Sequence, residues 1–194
     1  MLTFGNIEQS KRNLPHWHCD CALQFITFHL ADSLPESVRN EISREKDIFL
    51  ANYPEPWTPE VAQEYNSKFT TKINDYLDAG YGSCVFTHRE CAKIMEDILL
   101  HFNNRKYILH HYVVMPNHVH VLAELLPGFR TSEICKSWKS YSANIINKFL
   151  GRKGRLWHQE SWDRMIRNAR HYASVVSYID KNIHSGGIAY LTRK

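Results

Sequence analysis

The sequence predicts an α+β fold, an antiparallel sheet of ferredoxin-like plan with helices packed on one face. Three observations carry that expectation. The 194 residues suffice for one well-buried core plus an insertion and fall short of two full domains. Two segments rich in β-branched and aromatic residues, 107–114 and 118–125, flank Met115-Pro116-Asn117 and read as a hairpin. Along the chain the order is strand, helices, hairpin, helix, short strand, helix, which suits an antiparallel sheet with helices on one side.

The first strand is expected from Ala22 to Leu30, where Gln24 to His29 partly alternates, and Asp32-Ser33-Leu34-Pro35 ends it and starts a helix. Residues 36–77 are helical in pattern and highly charged. Pro54, Pro56 and Pro59 forbid one continuous helix, so the segment reads as a solvent-facing helical hairpin inserted into a single domain spanning 1–194. A turn at Ala79 to Ser83 precedes a short strand at Cys84 to Phe86. An amphipathic helix runs from His88 to Phe102, with Cys91, Ile94, Ile98, Leu99 and Phe102 on its core face. After the hairpin, Thr131 or Ser132 caps a helix to about Leu150, with Ile134, Trp138, Tyr141, Ile145 and Phe149 near one stripe. Gly151 to Arg155 breaks it. An extended piece at Leu156–Trp162 then leads to a last helix from Asn168 to Asn182, stopped near Gly186 and Gly187.

Charge is segregated along the chain. Up to Phe129 there are 11 Lys/Arg against 16 Asp/Glu; from Arg130 onward there are 13 against 4. The basic third includes Lys136, Lys139, Lys148, Arg152, Lys153, Arg155, Arg164, Arg167 and Arg170, interleaved with Trp138, Tyr141, Trp157 and Trp162. Such a surface suits a polyanion, and the aromatics favour single-stranded nucleic acid, whose bases stack on rings. Trp138 and Trp157 are the expected stacking platforms. Five cysteines, odd in number and irregularly spaced, suit free thiols in a reducing cytoplasm. No apolar run is long enough to span a bilayer, and the N-terminus lacks a signal-peptide pattern.

The chemistry centres on His118-Val119-His120. Side chains two apart on a strand share a face, so the imidazoles stand together while Val119 and Val121 face the other way. Two such histidines make half of a divalent-metal site. On the last helix Tyr178 and Asn182 are four apart and share a face, beside an apolar stripe of Val175, Val176, Ile179 and Ile183 that can dock the helix on the sheet. Two imidazoles and the Asn182 amide leave open positions for water and a phosphate oxygen, and the hard oxygen donor favours Mg²⁺ or Mn²⁺ over a closed zinc site. The attacking group would be the Tyr178 oxygen. A phenol has an ordinary pKa near 10, so it needs a base or nearby positive charge.

Five motifs in register carry a family resemblance: Phe25 to Phe28 followed by Leu30 to Pro35; Leu77-Asp-Ala-Gly-Tyr-Gly-Ser83; Tyr112 to His120; Leu156-Trp157 with Trp162-Asp-Arg164 and Ile166-Arg167; and Tyr178-Ile with Asn182. Together they resemble the REP-associated tyrosine transposases, a branch of the HUH single-strand nucleases related to single-tyrosine insertion-sequence transposases. The resemblance implies His118 and His120 as the metal pair and Asn182 as the third ligand. It implies Tyr178 as the nucleophile that forms a 5′-phosphotyrosyl link to DNA and leaves a free 3′-hydroxyl. It also implies a partner DNA, a short imperfect hairpin of repetitive extragenic palindromic sequence cut in the flanking single strand. The chain departs after Asn182, where Ile183-His184 replaces the family's usual Pro, and this puts His184 forward as a competing ligand.

Several decoys compete with these residues. His16-Trp17-His18 runs into Cys19 and Cys21, but no second Cys/His pair follows at a zinc-ribbon distance, so exposed or DNA-facing roles are expected. Tyr141 rivals Tyr178 but has Ile145, not an amide, one turn on. Two other functions stay open: a hairpin-DNA-binding protein that no longer cuts, and an RNA-binding ferredoxin-like module. The protein is expected to act as a monomer or homodimer.

Overall fold

The structure, a computed structural model, describes residues 8–11, 15–18, 23–54 and 56–184. Two short strands, β1 (Glu8–Lys11) and β2 (Pro15–His18), pair antiparallel as a separate ribbon. The side chains of His16 and His18, and all of Cys19 and Cys21, lie outside the described residues.

The main sheet has four strands: β3 (Leu23–His29), β4 (Tyr107–Val114), β5 (His118–Leu125) and β6 (Trp162–Met165). Their order is β4-β5-β3-β6, antiparallel throughout. The sequence reading of the β4–β5 hairpin holds to the residue. Central strands β3 and β5 are buried on both faces, which sorts their side chains by parity. Ile26, Phe28, Leu30, Val119, Val121 and Ala123 face α3 (Arg89–His101) and α4 (Thr131–Phe149), which cover one side and close the main core. A register shift between Leu109 and His111 resets β4's parity, so that Leu109 and Tyr112 both enter that core.

The opposite face carries Phe25, Thr27, His29, His118, His120 and Leu122. Here α5 (Ala169–His184) docks through Val175 and Ile179 on Phe25, Val113, Met115 and Leu122. The sheet therefore has helices on both faces, with the C-terminal helix docked on the histidine side. The apolar stripe expected on that helix is the one that docks.

Residues 36–77 do form two helices, α1 (Glu36–Asn52) and α2 (Pro59–Asp78). Pro59 opens α2, and the Thr58 hydroxyl accepts from the Val61 backbone N–H. Most of its charged side chains face solvent, as expected, and beneath them the hairpin has its own core of Val38, Ile42, Phe49, Tyr65, Phe69, Ile73 and Leu77, which reaches Trp162 of the sheet edge. Lys72 spans Glu41 and Glu45 across the two helices.

Three local expectations are corrected. Cys84 takes a left-handed conformation (φ 45°), which breaks an extended run, so Val85–Thr87 is a 3-10 turn rather than a strand. Neither Thr131 nor Ser132 caps α4: its N-cap is Arg130, with no side-chain cap. The α4 stripe is also rotated, with Ile134, Trp138, Ser142 and Ile146 facing inward and Tyr141, Ile145 and Phe149 exposed.

Candidate active site

His118 and His120 sit side by side on β5, both fully buried, with their Nε2 atoms 3.0 Å apart. Each ring is held from its far nitrogen. The Asn117 amide N–H₂ donates to the Tyr81 carbonyl (3.0 Å), which turns its Oδ1 to His118 Nδ1 at 2.8 Å. An amide oxygen only accepts, so His118 carries its proton on Nδ1 and presents a bare lone pair at Nε2. His120 Nδ1 meets the Thr27 hydroxyl at 2.7 Å, across the β3–β5 register that pairs the two residues. A hydroxyl can donate or accept, so Thr27 supports either tautomer of His120. Burial pushes both imidazoles down, His118 well below its ordinary value with help from His120, and His120 to about 3. Both rings are therefore neutral at pH 7 and can ligate.

Tyr178 approaches from α5. Its Oη lies 3.3 Å from His120 Nε2, and the Phe25 ring stacks on His120 while meeting Tyr178 edge-on. Burial raises the phenol to about 12, and Asp78 and Asp75 push the same way; a hydrogen bond from Asn182 and the charge of Arg164 oppose them. Asn182 is buried one turn on, its Nδ2 donating to the Tyr178 carbonyl at 3.2 Å. Arg164, on β6 opposite Phe25, sets its guanidinium 6.0 Å from that ring. The His184 side chain lies outside the described residues.

Sequence reasoning missed one member of this group. Asp78, the last residue of α2, brings Oδ1 to 3.7 Å from His118 Nε2. Ligand atoms of Asp78, His118 and His120 all lie within 4.8 Å of one another. Two neutral imidazoles with second-nitrogen partners and one carboxylate fit a divalent metal.

A family described as "Transposase IS200 like" matches residues 81–182, more than half of the chain, from the turn after α2 through both histidines to Asn182. The chain belongs to the IS200-like transposase family. Two solved structures are similar to it. One is a REP-associated tyrosine transposase bound to a REP hairpin, at 16% identity over 86% of this chain and 70% of that one, with a TM-score of 0.44. Another, from Deinococcus radiodurans R1 and assigned as a transposase, is 14% identical over 82% of this chain and 89% of that one, with a TM-score of 0.37. No curated protein matches the chain. Among the described residues of this IS200-like transposase, no helix is long and apolar enough to cross a membrane.

The remaining candidates divide by face. Trp138 and Trp157 do not offer stacking platforms. They are 1% and 4% exposed, with Trp138 Nε1 donating to the Tyr107 hydroxyl and Trp157 Nε1 to the Ser142 hydroxyl. A Trp carrying an N–H can enter a core when that donor finds a partner, and both did. Lys139 donates to the carbonyls of His158, Gln159 and Glu160, so it ties down the loop before β6. Lys136, Lys153, Arg155 and Arg167 are exposed and Arg152 is half-buried. Tyr141 is 60% exposed on α4, across the sheet from the histidines.

Proposed function

We propose that this transposase is a metal-dependent single-stranded DNA endonuclease and strand transferase that acts at palindromic hairpin DNA through a 5′-phosphotyrosine on Tyr178. The observation that carries the reading is the 3.3 Å approach of the Tyr178 hydroxyl to His120 Nε2, beside the paired imidazoles. A nucleophile and a metal-ligating pair meet at one point, on elements far apart in sequence. The α1–α2 hairpin is read as an insertion within one catalytic domain.

His118 and His120, with the Asn182 amide oxygen, would hold Mg²⁺ or Mn²⁺; bound there, the cation supplies Lewis-acid polarisation of the scissile phosphate. The chain's own residues do the rest. Docking of Val175 and Ile179 on the sheet fixes the angle at which α5 presents its phenol. Phe25 and the buried face around His120 keep bulk water from that side of the ring. Tyr178 loses its phenolic proton to solvent, and its oxygen attacks phosphorus. The Oη–P bond forms as the P–O3′ bond breaks, and the departing 3′ oxygen takes up a proton. Reversal by a 3′-hydroxyl rejoins the strand without an outside energy source. Since burial holds the phenol near 12, it ionises at neutral pH only where positive charge offsets that burial, and Arg164 contributes part of it. Exposed Lys136, Lys153, Arg155 and Arg167 would contact the DNA backbone.

A covalent-capture assay tests the reading. End-labelled single-stranded DNA with a palindromic hairpin is incubated with Mn²⁺ or Mg²⁺ and run on a denaturing gel. An adduct in the wild type, lost in Tyr178→Phe, in His120→Ala and with chelator, is the expected result. Hairpin-selective binding with no adduct would sink it and leave a hairpin-binding protein without cleavage.

A further inference from the structure

We infer that Asp78 supplies an anionic ligand to the His118/His120 centre, making the α1–α2 hairpin part of the active site. The inference rests on the two-histidine reading above and adds to it a residue that lies just before residues 81–182, which the family model matches.

In an octahedral site with bonds of roughly 2.1 Å, adjacent ligand atoms stand about 3.0 Å apart. The two Nε2 atoms are separated by 3.0 Å, and Asp78 Oδ1 stands 3.7 Å from His118 Nε2. That second distance is long for a hydrogen bond and falls between the edge and the roughly 4.2 Å trans separation of such a site. Among the described residues, Asp78, His118 and His120 are the group of metal-ligating side chains that converges.

Charge balance points the same way. Two neutral imidazoles and an amide leave a buried divalent cation uncompensated until a phosphate arrives, and burying uncompensated charge is costly. One carboxylate at the rim halves that charge before DNA binds.

Asp78 also stands at a telling place on its own helix. The C-terminal end of a helix carries partial negative charge and favours cations. Here α2 ends in Asp75 and Asp78, with no basic residue in the last turn. Two like charges at the wrong pole are unfavourable for folding alone, and a bound cation reverses the sign of that term.

The turn after Asp78 is built to hold it there. Asn117, which orients His118, also donates to the carbonyl of Tyr81. The Ser83 N–H donates to Asp32 Oδ2, and the Phe86 N–H to the Pro116 carbonyl. Gly82 has φ +93°, and a Cβ there would meet the Asp32 carbonyl oxygen at 2.5 Å, so only glycine lets this turn lie so close to the turn that follows β3. One side chain, Asn117, thus fixes the imidazole and the strand of chain that delivers the carboxylate.

Titration with MnCl₂ in the absence of DNA, by calorimetry and by thermal shift, tests this on the full chain. Asp78→Asn is expected to weaken Mn²⁺ binding about tenfold or more, and Asp75→Asn, whose carboxylate does not converge on the pair, much less. In metal-free buffer Asp78→Asn should melt at or above the wild type, because it removes a like charge from Asp75; with Mn²⁺ its gain in melting temperature should be smaller. Wild-type Mn²⁺ affinity in Asp78→Asn, with binding lost in His120→Ala, would overturn this inference and leave the two-histidine reading intact. Unchanged binding in His120→Ala would overturn both. Weaker binding in Asp78→Asn together with a melting temperature below the wild type without metal would make Asp78 a structural residue instead.

Discussion

Replacing Thr27 with valine isolates one hydrogen bond behind the metal pair. Threonine and valine are nearly the same shape, and Thr27 is buried on β3 directly opposite His120. In the wild type the hydroxyl meets His120 Nδ1 at 2.7 Å, and the ring has no exposure to water through which to find another partner. Leaving a buried ring nitrogen without a partner costs about 1–3 kcal/mol. For a chain of this size that corresponds to a fall in melting temperature of about 2–12 °C, at about 2–4 °C per kcal/mol. The loss should be larger in the metal-loaded form, where His120 must carry its proton on Nδ1 and point it at a methyl group. Mn²⁺ affinity should therefore fall about 10–100-fold, while Thr27→Ser, which keeps the hydroxyl, should stay close to the wild type. Calorimetric titration of the three proteins decides it. Wild-type affinity in Thr27→Val would show that Nδ1 support from β3 plays no part in ligation.

Further expectations concern the turn, pH and salt. Gly82→Ala should cost about 2–4 kcal/mol by urea denaturation, combining a left-handed backbone with a clash on Asp32, whereas Gly80→Ala, with open space around it, should cost about 1 kcal/mol; equal costs would refute the close approach. In metal-free buffer, His29 and His118 sit well below their ordinary value and His158 near 4, all chiefly through burial. The unfolded chain therefore takes up protons first as pH falls. Stability should be complete above about pH 6.5 and decline from there toward pH 4. A melting temperature flat between pH 7 and 5 would contradict this. Binding to single-stranded DNA should weaken steeply with salt, and Arg155→Gln should reduce the log–log slope by about 0.7 if that side chain meets a phosphate; an unchanged slope removes Arg155 from the interface.

The parts legible in the sequence were those governed by short-range periodicity. The two-residue repeat of a strand puts His118 and His120 on one face, and the four-residue helical spacing puts Tyr178 and Asn182 together. The hairpin showed because its β-branched runs end at Met115-Pro116-Asn117. What stayed hidden depends on register and docking. Thr27 meets His120 only through a pairing between strands 93 residues apart, and Asp78 arrives only because the following turn folds back onto Asp32, just past β3, and onto the hairpin. Period alone left two candidate faces on α4, so Tyr141, Ile145 and Phe149 read as inward although Ser142 and Ile146 take that side. Trp138 and Trp157 looked available to bases because their sequence neighbours are basic. Their burial is set by Tyr107 and Ser142, which offer their indole N–H groups a partner. The docking stripe of α5 was legible, and joining Asn182 to the two imidazoles already implied the histidine face, but nothing local says that α3 and α4 fill the other side.

The proposed chemistry makes the Tyr178 phenolic oxygen the point of a covalent link to DNA beside the paired histidines. Its most direct test is to trap the protein–DNA adduct formed with Mn²⁺, digest both components and locate the nucleotide by mass spectrometry. The added mass is expected on the peptide carrying Tyr178, bonded through the phenolic oxygen to a 5′ phosphate. A nucleotide on Tyr141, on the far side of the sheet, or a 3′-linked adduct, would contradict it.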